Sequence, residues 1–474
     1  MKAAHAEKIS DFPDKLNPML VKELRQGLRG ISFIILFIAV QAFLCFIMFI
    51  TAIAASHENA GHLLSRTIFF FFSLAVLSIQ PLRGISSLHG EIKNNTIDLL
   101  CLTRLSAWRI AYGKWISIVS QSALILSTII PYLILRYFFG DMQIFSEILL
   151  LISIFLLSAL FTAGTVGLSA TNSSIIRVLL PIVFSLFVFV FIWSTFAGGR
   201  ENFLSIIRPL TLDSLTQTLF FIGLVTTCIY ITWMLLDLGA SLIAPIAENR
   251  ATRRRLVSLG LITTTLFSLK FAHIDADATI YLGLALSIPV CIISLTENPQ
   301  LVQPIVAPFT RRGILGTTLG RILYPGWATG LLFSLVLYAL LHTYIILQHE
   351  NHFVHLNWIF AAVLFPLVLT RIFARKHENR FGLFMLFTCT QFLIVLIIFA
   401  AETWGGSHQL KIMQYFCWIP SSFIYLGDKY GFSEDTLLQL SYINLAVYTG
   451  IALATSFPVW KHIRELERMT SNES

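Results

Sequence analysis

The chain has 474 residues, 56% of them hydrophobic and 12% charged, with a formal net charge of +8. Soluble domains carry about 25% charged residues, so this composition excludes a water-soluble enzyme and points to an all-α, polytopic membrane protein. Its six cysteines, at 45, 101, 228, 291, 389 and 417, form no CxxC or Cys/His cluster, which indicates neither a zinc site nor a disulfide framework.

The first 30 residues form a cytoplasmic lead. Within "LNPMLVKELRQGLRG" (16–30), Asn17 is an N-cap candidate and Pro18 a suitable first helical residue. Leu20, Leu24 and Leu28 repeat at i, i+4 and i+8 beside Val21, whereas Lys22, Arg25 and Arg29 fall on the other side. This pattern predicts a basic amphipathic helix in the inner headgroup layer, loosened at Gly27 and Gly30. The "AIA" at 52–54 resembles a signal-cleavage site, but the apolar run before it covers about 25 residues, against 7–15 for a signal sequence, and reads as a membrane anchor.

Runs long enough to cross a bilayer follow at about 31–55, 64–86, 113–138, 146–169, 174–196, 216–245, 256–271, 278–296, 326–347, 355–374, 381–401 and 436–459. The run at 256–271 is the shortest. Twelve spans place both termini on one side. With the N-terminus inside, seven of the 33 Lys and Arg fall outside, namely Arg66, Arg136, Arg200, Arg208, Lys270, Lys411 and Lys429. That asymmetry predicts an N-in, C-in topology and accounts for the basic balance without nucleic acid. The chain divides into the lead (1–30), a first six-span half (31–247) and a second six-span half with a short cytoplasmic tail (248–474). No loop is long enough for a soluble catalytic domain.

Between the second and third spans lies "GEIKNNTIDLLCLTRLSAWRIAYGKW" (90–115), on the inner side. Thr96 or Asn95 is placed to cap a short helix to about Thr103, with Ile97, Leu100 and Cys101 on one face. Asp98 near its start and Arg104 near its end suit the helix dipole. Ser106 is the next cap, Leu105 can staple onto Ile110, and a helix starts at Ala107. Trp108, Tyr112 and Trp115 belong in the interfacial belt, with Arg109 and Lys114 near the headgroups. The segment is thus an elbow beneath the third span.

These residues resemble the cytoplasmic segment of ABC-2-type transporter permeases, in which a Glu precedes "TxExLL" and then "xPLSxxxIxxGK". Glu91, Thr96, Leu99, Leu100, Leu105, Ser106, Ile110, Gly113 and Lys114 match. Asp98 stands for the usual Glu and Arg104 for the usual Pro. "NPMLVKELRQGLR" is similar to the N-terminal connecting helix of such permeases, and the outer loop 197–215 to their extracellular re-entrant helix. The resemblance covers about residues 16–138 and, by layout, the six-span first half. It implies that 91–112 is a coupling helix, with Glu91, Thr96, Asp98, Leu99, Leu100, Arg104, Ser106, Arg109 and Lys114 passing force from a separate cytoplasmic ABC ATPase subunit. It also implies a place in the inner (plasma) membrane, and export rather than import. The chain holds no GxxxxGK[ST] motif, so the engine is expected on another polypeptide, and no cofactor or metal is expected on this one.

In the second half, "RILYPGW" (321–327) shares Arg, Ile, Tyr and Trp with "RIAYGKW" (109–115) ahead of an apolar run, which raises a degenerate internal repeat. Whether the path is built by one chain or with a second permease chain turns on that repeat. Ionisable groups at mid-bilayer are few. Asp237 lies in the inner part of the sixth span, while Arg136, Glu147 and Glu402 sit at span ends, where snorkelling is expected to satisfy them. Gln41, Gln121 and Gln391 read as interhelical hydrogen-bonding groups. "HENHFVH" (349–355) clusters His349, His352 and His355 with Glu350, more simply an exposed polar loop than a metal site. The leading expectation is therefore a permease subunit. An ATP-independent secondary transporter is the alternative, and an intramembrane enzyme or assembly scaffold a more distant one.

Overall fold

A backbone surrounded by lipid must satisfy its own polar groups, and a run of apolar residues does so as a helix. The computed structural model bears this out. It describes residues 18–53, 60–93, 106–138, 140, 143–171, 173–197, 199–244, 248–271, 276–297, 301–348, 352–373, 380–405, 419–420 and 434–472. Among them there are helices and no strands. The chain is an all-α, multi-pass membrane protein. Among the described residues, ten helices are long and apolar enough to cross a bilayer.

The chain divides into two compact units, Met1–Ile243 and Ala244–Ser474. In the first, α1 (Pro18–Leu28) precedes α2 (Ile31–Ile53), α3 (Gly61–Lys93), α4 (Ala107–Tyr137), α5 (Ile144–Ser169), α6 (Ile176–Ala197), the short α7 (Arg200–Ile207) and α8 (Leu215–Ile243). Six of these are spans. The core is aromatic and aliphatic, built from Phe33, Leu44, Leu64, Phe69, Phe72, Ile125, Ile154 and Ile192. The segment between α6 and α8 holds α7, whose Phe203 and Ile207, with Leu210 after it, reach into the same core. Arg66 fixes the preceding turn by donating from Nε to the Phe196 carbonyl at 2.8 Å.

Two local features set how these helices meet. A π turn at Leu74–Ile79 interrupts the regular ladder of α3, and the Val76 carbonyl there accepts the Ser158 hydroxyl of α5 at 2.7 Å. On the other side of α5, Gly167 faces Gly239 of α8, and a Cβ at 239 would come 2.8 Å from the Gly167 Cα. Two glycines let these backbones touch, which is how membrane helices without an aqueous driving force gain contact.

The second unit contains α9 (Arg250–Phe271), α10 (Ala276–Thr296), α11 (Gln303–Thr310), α12 (Gly313–Leu323), α13 (Trp327–Gln348), α14 (Phe353–Phe373), α15 (Arg380–Gly405) and α16 (Glu434–Asn472). Helices α10, α13, α14 and α16 are the long apolar ones. The two remaining expected spans are also helical. Helix α9 opens on "RATRRR", which lowers its hydropathy, and the apolar stretch of α15 is described over Arg380–Val395. "RIAYGKW" lies wholly within α4, whereas "RILYPGW" crosses the end of α12, a Pro325–Gly326 break and the start of α13. The two heptads therefore differ in local structure.

The three glutamines act between helices. Gln41 of α2 donates to Thr128 and accepts from Tyr132 of α4, Gln121 of α4 accepts from Arg83 of α3, and Gln391 of α15 donates to the Ala362 carbonyl of α14. The snorkelling expected of Arg136 and Glu147 does not occur. Both are buried and face each other, with Arg136 Nη2 3.5 Å from Glu147 Oε1 and Ser65 donating to the same carboxylate at 3.2 Å. Mutual pairing replaces the headgroup contact, because α3, α4 and α5 close over this point. Glu402 lies outside the described side chains.

Candidate functional site at the foot of α4

Helix α4 has 31 residues and is about 46 Å long at 1.5 Å per residue, against about 30 Å of hydrocarbon. Its first turns therefore extend past the apolar layer. They begin where the capping pattern places them: Ser106 is extended, with φ −70° and ψ 148°, and its hydroxyl accepts the Arg109 N–H at 3.4 Å. One face of the foot buries Ala107, Ile110 and Ala111. Another carries Trp108, Tyr112 and Trp115, whose rings follow one another at 6.3 and 5.4 Å between centroids. Such a ladder suits the headgroup level, and Trp115 also donates to the Ala159 carbonyl of α5 at 2.8 Å.

Lys114 occupies the third face and is largely buried. A buried ammonium is costly unless it is paired. Here it is paired twice: Nζ lies 3.1 Å from Glu23 Oε1 of α1 and 3.1 Å from Glu91 Oε1 at the end of α3. The side chains of Lys114, Glu23 and Glu91 are 8%, 12% and 19% exposed, so screening by water is weak. Ser117, one turn along, donates to the Glu23 carbonyl at 2.8 Å. A Cβ at Gly27 would lie 2.8 Å from the Ser117 Oγ, so α1 rests directly on α4. Arg83 completes the joint. It donates to Gln80 at 3.2 Å and to Gln121, and its guanidinium stands 5.7 Å from the centre of the Phe33 ring of α2.

Of the residues picked out from sequence, the fold thus brings Glu91 and Lys114 together, and Ser106 caps α4. Arg109 is exposed on the first turn. Lys22, Arg25 and Arg29 share the exposed face of α1. Thr96, Asp98, Leu99, Leu100 and Arg104 lie outside the described residues. Glu23 was not picked out, although a signal existed: it is the one acid of a basic helix and falls at the register of Leu20, Leu24 and Gly27, the inward face.

The second unit holds a second polar joint. Arg255 is fully buried. Its Nη2 pairs with Glu297 at 2.6 Å and donates to the Gly326 carbonyl at 2.9 Å, while Nη1 donates to the carbonyls of Tyr324 and Ile322 at 2.6 and 3.0 Å. Arg254 meets the other oxygen of Glu297 at 2.8 Å. A guanidinium fork can hold this turn where a single ammonium cannot. Nearby, Arg321 pairs with Glu467 at 2.7 Å, and the Glu467 hydrogen bonds hold the Arg321 guanidinium above its usual value against the opposing effect of burial.

Further polar contacts cross the spans of this unit. Tyr338 donates to Asn357 at 2.7 Å, Asn357 donates to Ser441 at 2.9 Å, and His342 lies 3.0 Å from the Tyr442 hydroxyl. The rings of His352 and His355 lie 6.4 Å apart, and His349 and Glu350 fall outside the described residues. No family model, curated protein or solved structure matches the chain.

Proposed function

We propose that the chain is the permease subunit of an ATP-driven exporter of the ABC-2 type, set in the cell's inner membrane and moved by a separate cytoplasmic ATPase. The observation that carries this reading is the double pairing of Lys114. Lys114 of α4 holds Glu91 at the end of α3, and Glu23 fastens α1 to the same point. Force applied between α3 and α4 would reach three helices together instead of bending one, as a rigid-body switch requires. The motif resemblance over Glu91–Lys114 supplies the identity of the driver.

Affinity capture of the full chain from its native membrane tests the reading, with wild type beside Leu99→Asp/Leu100→Asp. The expected result is a Walker-motif ATPase that stays with the wild type and is lost from the variant, together with transport that stops when ATP is withdrawn. Transport that follows a proton gradient with no ATPase present, and that needs Asp237, would overturn it. A secondary transporter is the second reading. The specific observation on its side is the set of Tyr338–Asn357–Ser441 and His342–Tyr442 contacts within the spans, since polar groups in a bilayer mark functional pathways more often than chance.

A further inference from the structure

The exposed face of α1 takes no part in the joint with α4. Lys22, Arg25, Gln26 and Arg29 are exposed along it, and with Val21 they line a groove of about 430 Å3. That volume falls within the range of roughly 300–1,000 Å3 typical of small-molecule sites. The cations sit at i, i+3 and i+7, so they stand above one another over two turns. The one acid of the helix, Glu23, is turned away onto Lys114.

The groove also has a fixed orientation and a fixed depth. α1 cannot roll, because Lys114 holds its Glu23 carboxylate, Ser117 holds its Glu23 carbonyl and Gly27 lies against α4. Its last cation is two residues from Ile31, where α2 begins. Ile31, Ile35 and Ile38 are 75%, 62% and 59% exposed, as side chains facing acyl chains would be. Arg29 thus stands next to the start of that apolar face, at the boundary where lipid phosphates lie.

From this geometry we propose that Lys22, Arg25 and Arg29 form a binding site for the phosphate of an anionic phospholipid headgroup in the leaflet beneath α1. Two guanidinium forks and an ammonium match phosphate oxygens. The depth selects a lipid over a soluble phosphate, because the acyl chains of a lipid held there lie along α2. This site depends on the membrane placement of α1 and not on the ATPase reading.

The test uses the purified full chain in detergent, titrated with phosphatidylglycerol or phosphatidylcholine and read by native mass spectrometry for retained lipid. Wild type should retain phosphatidylglycerol over phosphatidylcholine. Lys22→Gln/Arg25→Gln/Arg29→Gln should weaken phosphatidylglycerol on the order of a hundredfold, at about fivefold per cation. Arg25→Lys/Arg29→Lys keeps the charge but removes the forks and should lose several-fold. Glycerophosphate, the soluble headgroup, should not displace the lipid. Equal retention by wild type and the triple variant would overturn the site. Full retention by the double-lysine variant would reduce it to diffuse charge attraction, and displacement by glycerophosphate would reassign it to a soluble phosphate. Circular dichroism of each variant checks the fold, and the Glu23–Lys114 contact is untouched in all of them.

Discussion

At the residue scale, the most consequential group is Lys114, and its two partners are not equivalent to it. Removing Lys114 leaves Glu23 and Glu91 facing each other with little water between, whereas removing either acid leaves the ammonium still paired. Breaking a buried pair by deleting its hub costs about 3 kcal/mol or more, and losing one of two hydrogen-bonded acceptors costs about 1 kcal/mol. Lys114→Met should therefore lower thermal stability in detergent by more than Glu23→Gln and Glu91→Gln combined, and a double-mutant cycle between Glu23 and Glu91 in the Lys114→Met background should show relief. Additive, equal effects of the three variants would contradict the joint. Tyr324, between α12 and α13, gives a pH-dependent test. Burial, with the Glu467 charge, pushes its phenol above the usual value. The folded state thus keeps a proton that the unfolded state releases above about pH 10, so the stability Tyr324 contributes falls as pH rises past that point. Its hydroxyl has no hydrogen-bond partner among the described residues. Tyr324→Phe should therefore hold its stability at neutral pH and lose less than the wild type between about pH 9 and 11 in parallel melts.

At the element scale, two close helix contacts rest on glycine for different reasons. A Cβ at Gly239 meets backbone, the Gly167 Cα at 2.8 Å, and backbone cannot turn aside. A Cβ at Gly27 meets the ends of the Ser117 and Gln121 side chains, which can. Gly239→Ala should cost about 1–3 kcal/mol through forced separation of α5 and α8. Gly27→Ala should come out near neutral, because the gain of about 1 kcal/mol in helix propensity offsets the rearranged Gln121. Melting temperatures of the two variants decide this, and a Gly27→Ala loss equal to that of Gly239→Ala would show α1 to be locked more rigidly than its contacts imply. The same contrast explains what could be read from sequence. Pro18 at the start of α1 and Ser106 at the cap of α4 act through neighbours one turn away, so local pattern reveals them. Glu23 and Lys114 are 91 residues apart, and Arg255 and Glu297 are 42 residues apart. Nothing in a local window reports such pairs. Charge at a span end has two solutions, headgroup or partner, and Arg136 and Glu147 take the second because each lies within reach of the other only after α3, α4 and α5 have packed.

At the scale of the whole molecule, the topology turns on α9. Its 22 residues are long enough to cross, but the first six, "RATRRR", are committed elsewhere, with Arg254 and Arg255 on Glu297 and the carbonyls of 322–326. The 16 residues from Leu256 to Phe271 reach about 24 Å, short of a hydrocarbon core of about 30 Å. Two effects compensate. The buried ion pairs remove the cost of placing the arginines near the apolar layer. Lys270 can also snorkel at the far end, where its Nζ lies 3.5 Å from the Leu347 carbonyl at the end of α13. Helix α9 should therefore cross, at a site where the bilayer is thinned or the ends are drawn in. A single cysteine at Lys270→Cys, in a background with the native cysteines replaced, should react with a membrane-impermeant maleimide from the outer side in intact cells. Cysteines at Arg253 and Arg311 should react only after the membrane is opened. Labelling of position 270 from the inside alone would remove α9 as a span. Every later loop would then change sides, which would place Arg371, Arg375, Lys376 and Arg380 outside and break the charge asymmetry on which the N-in, C-in topology rests.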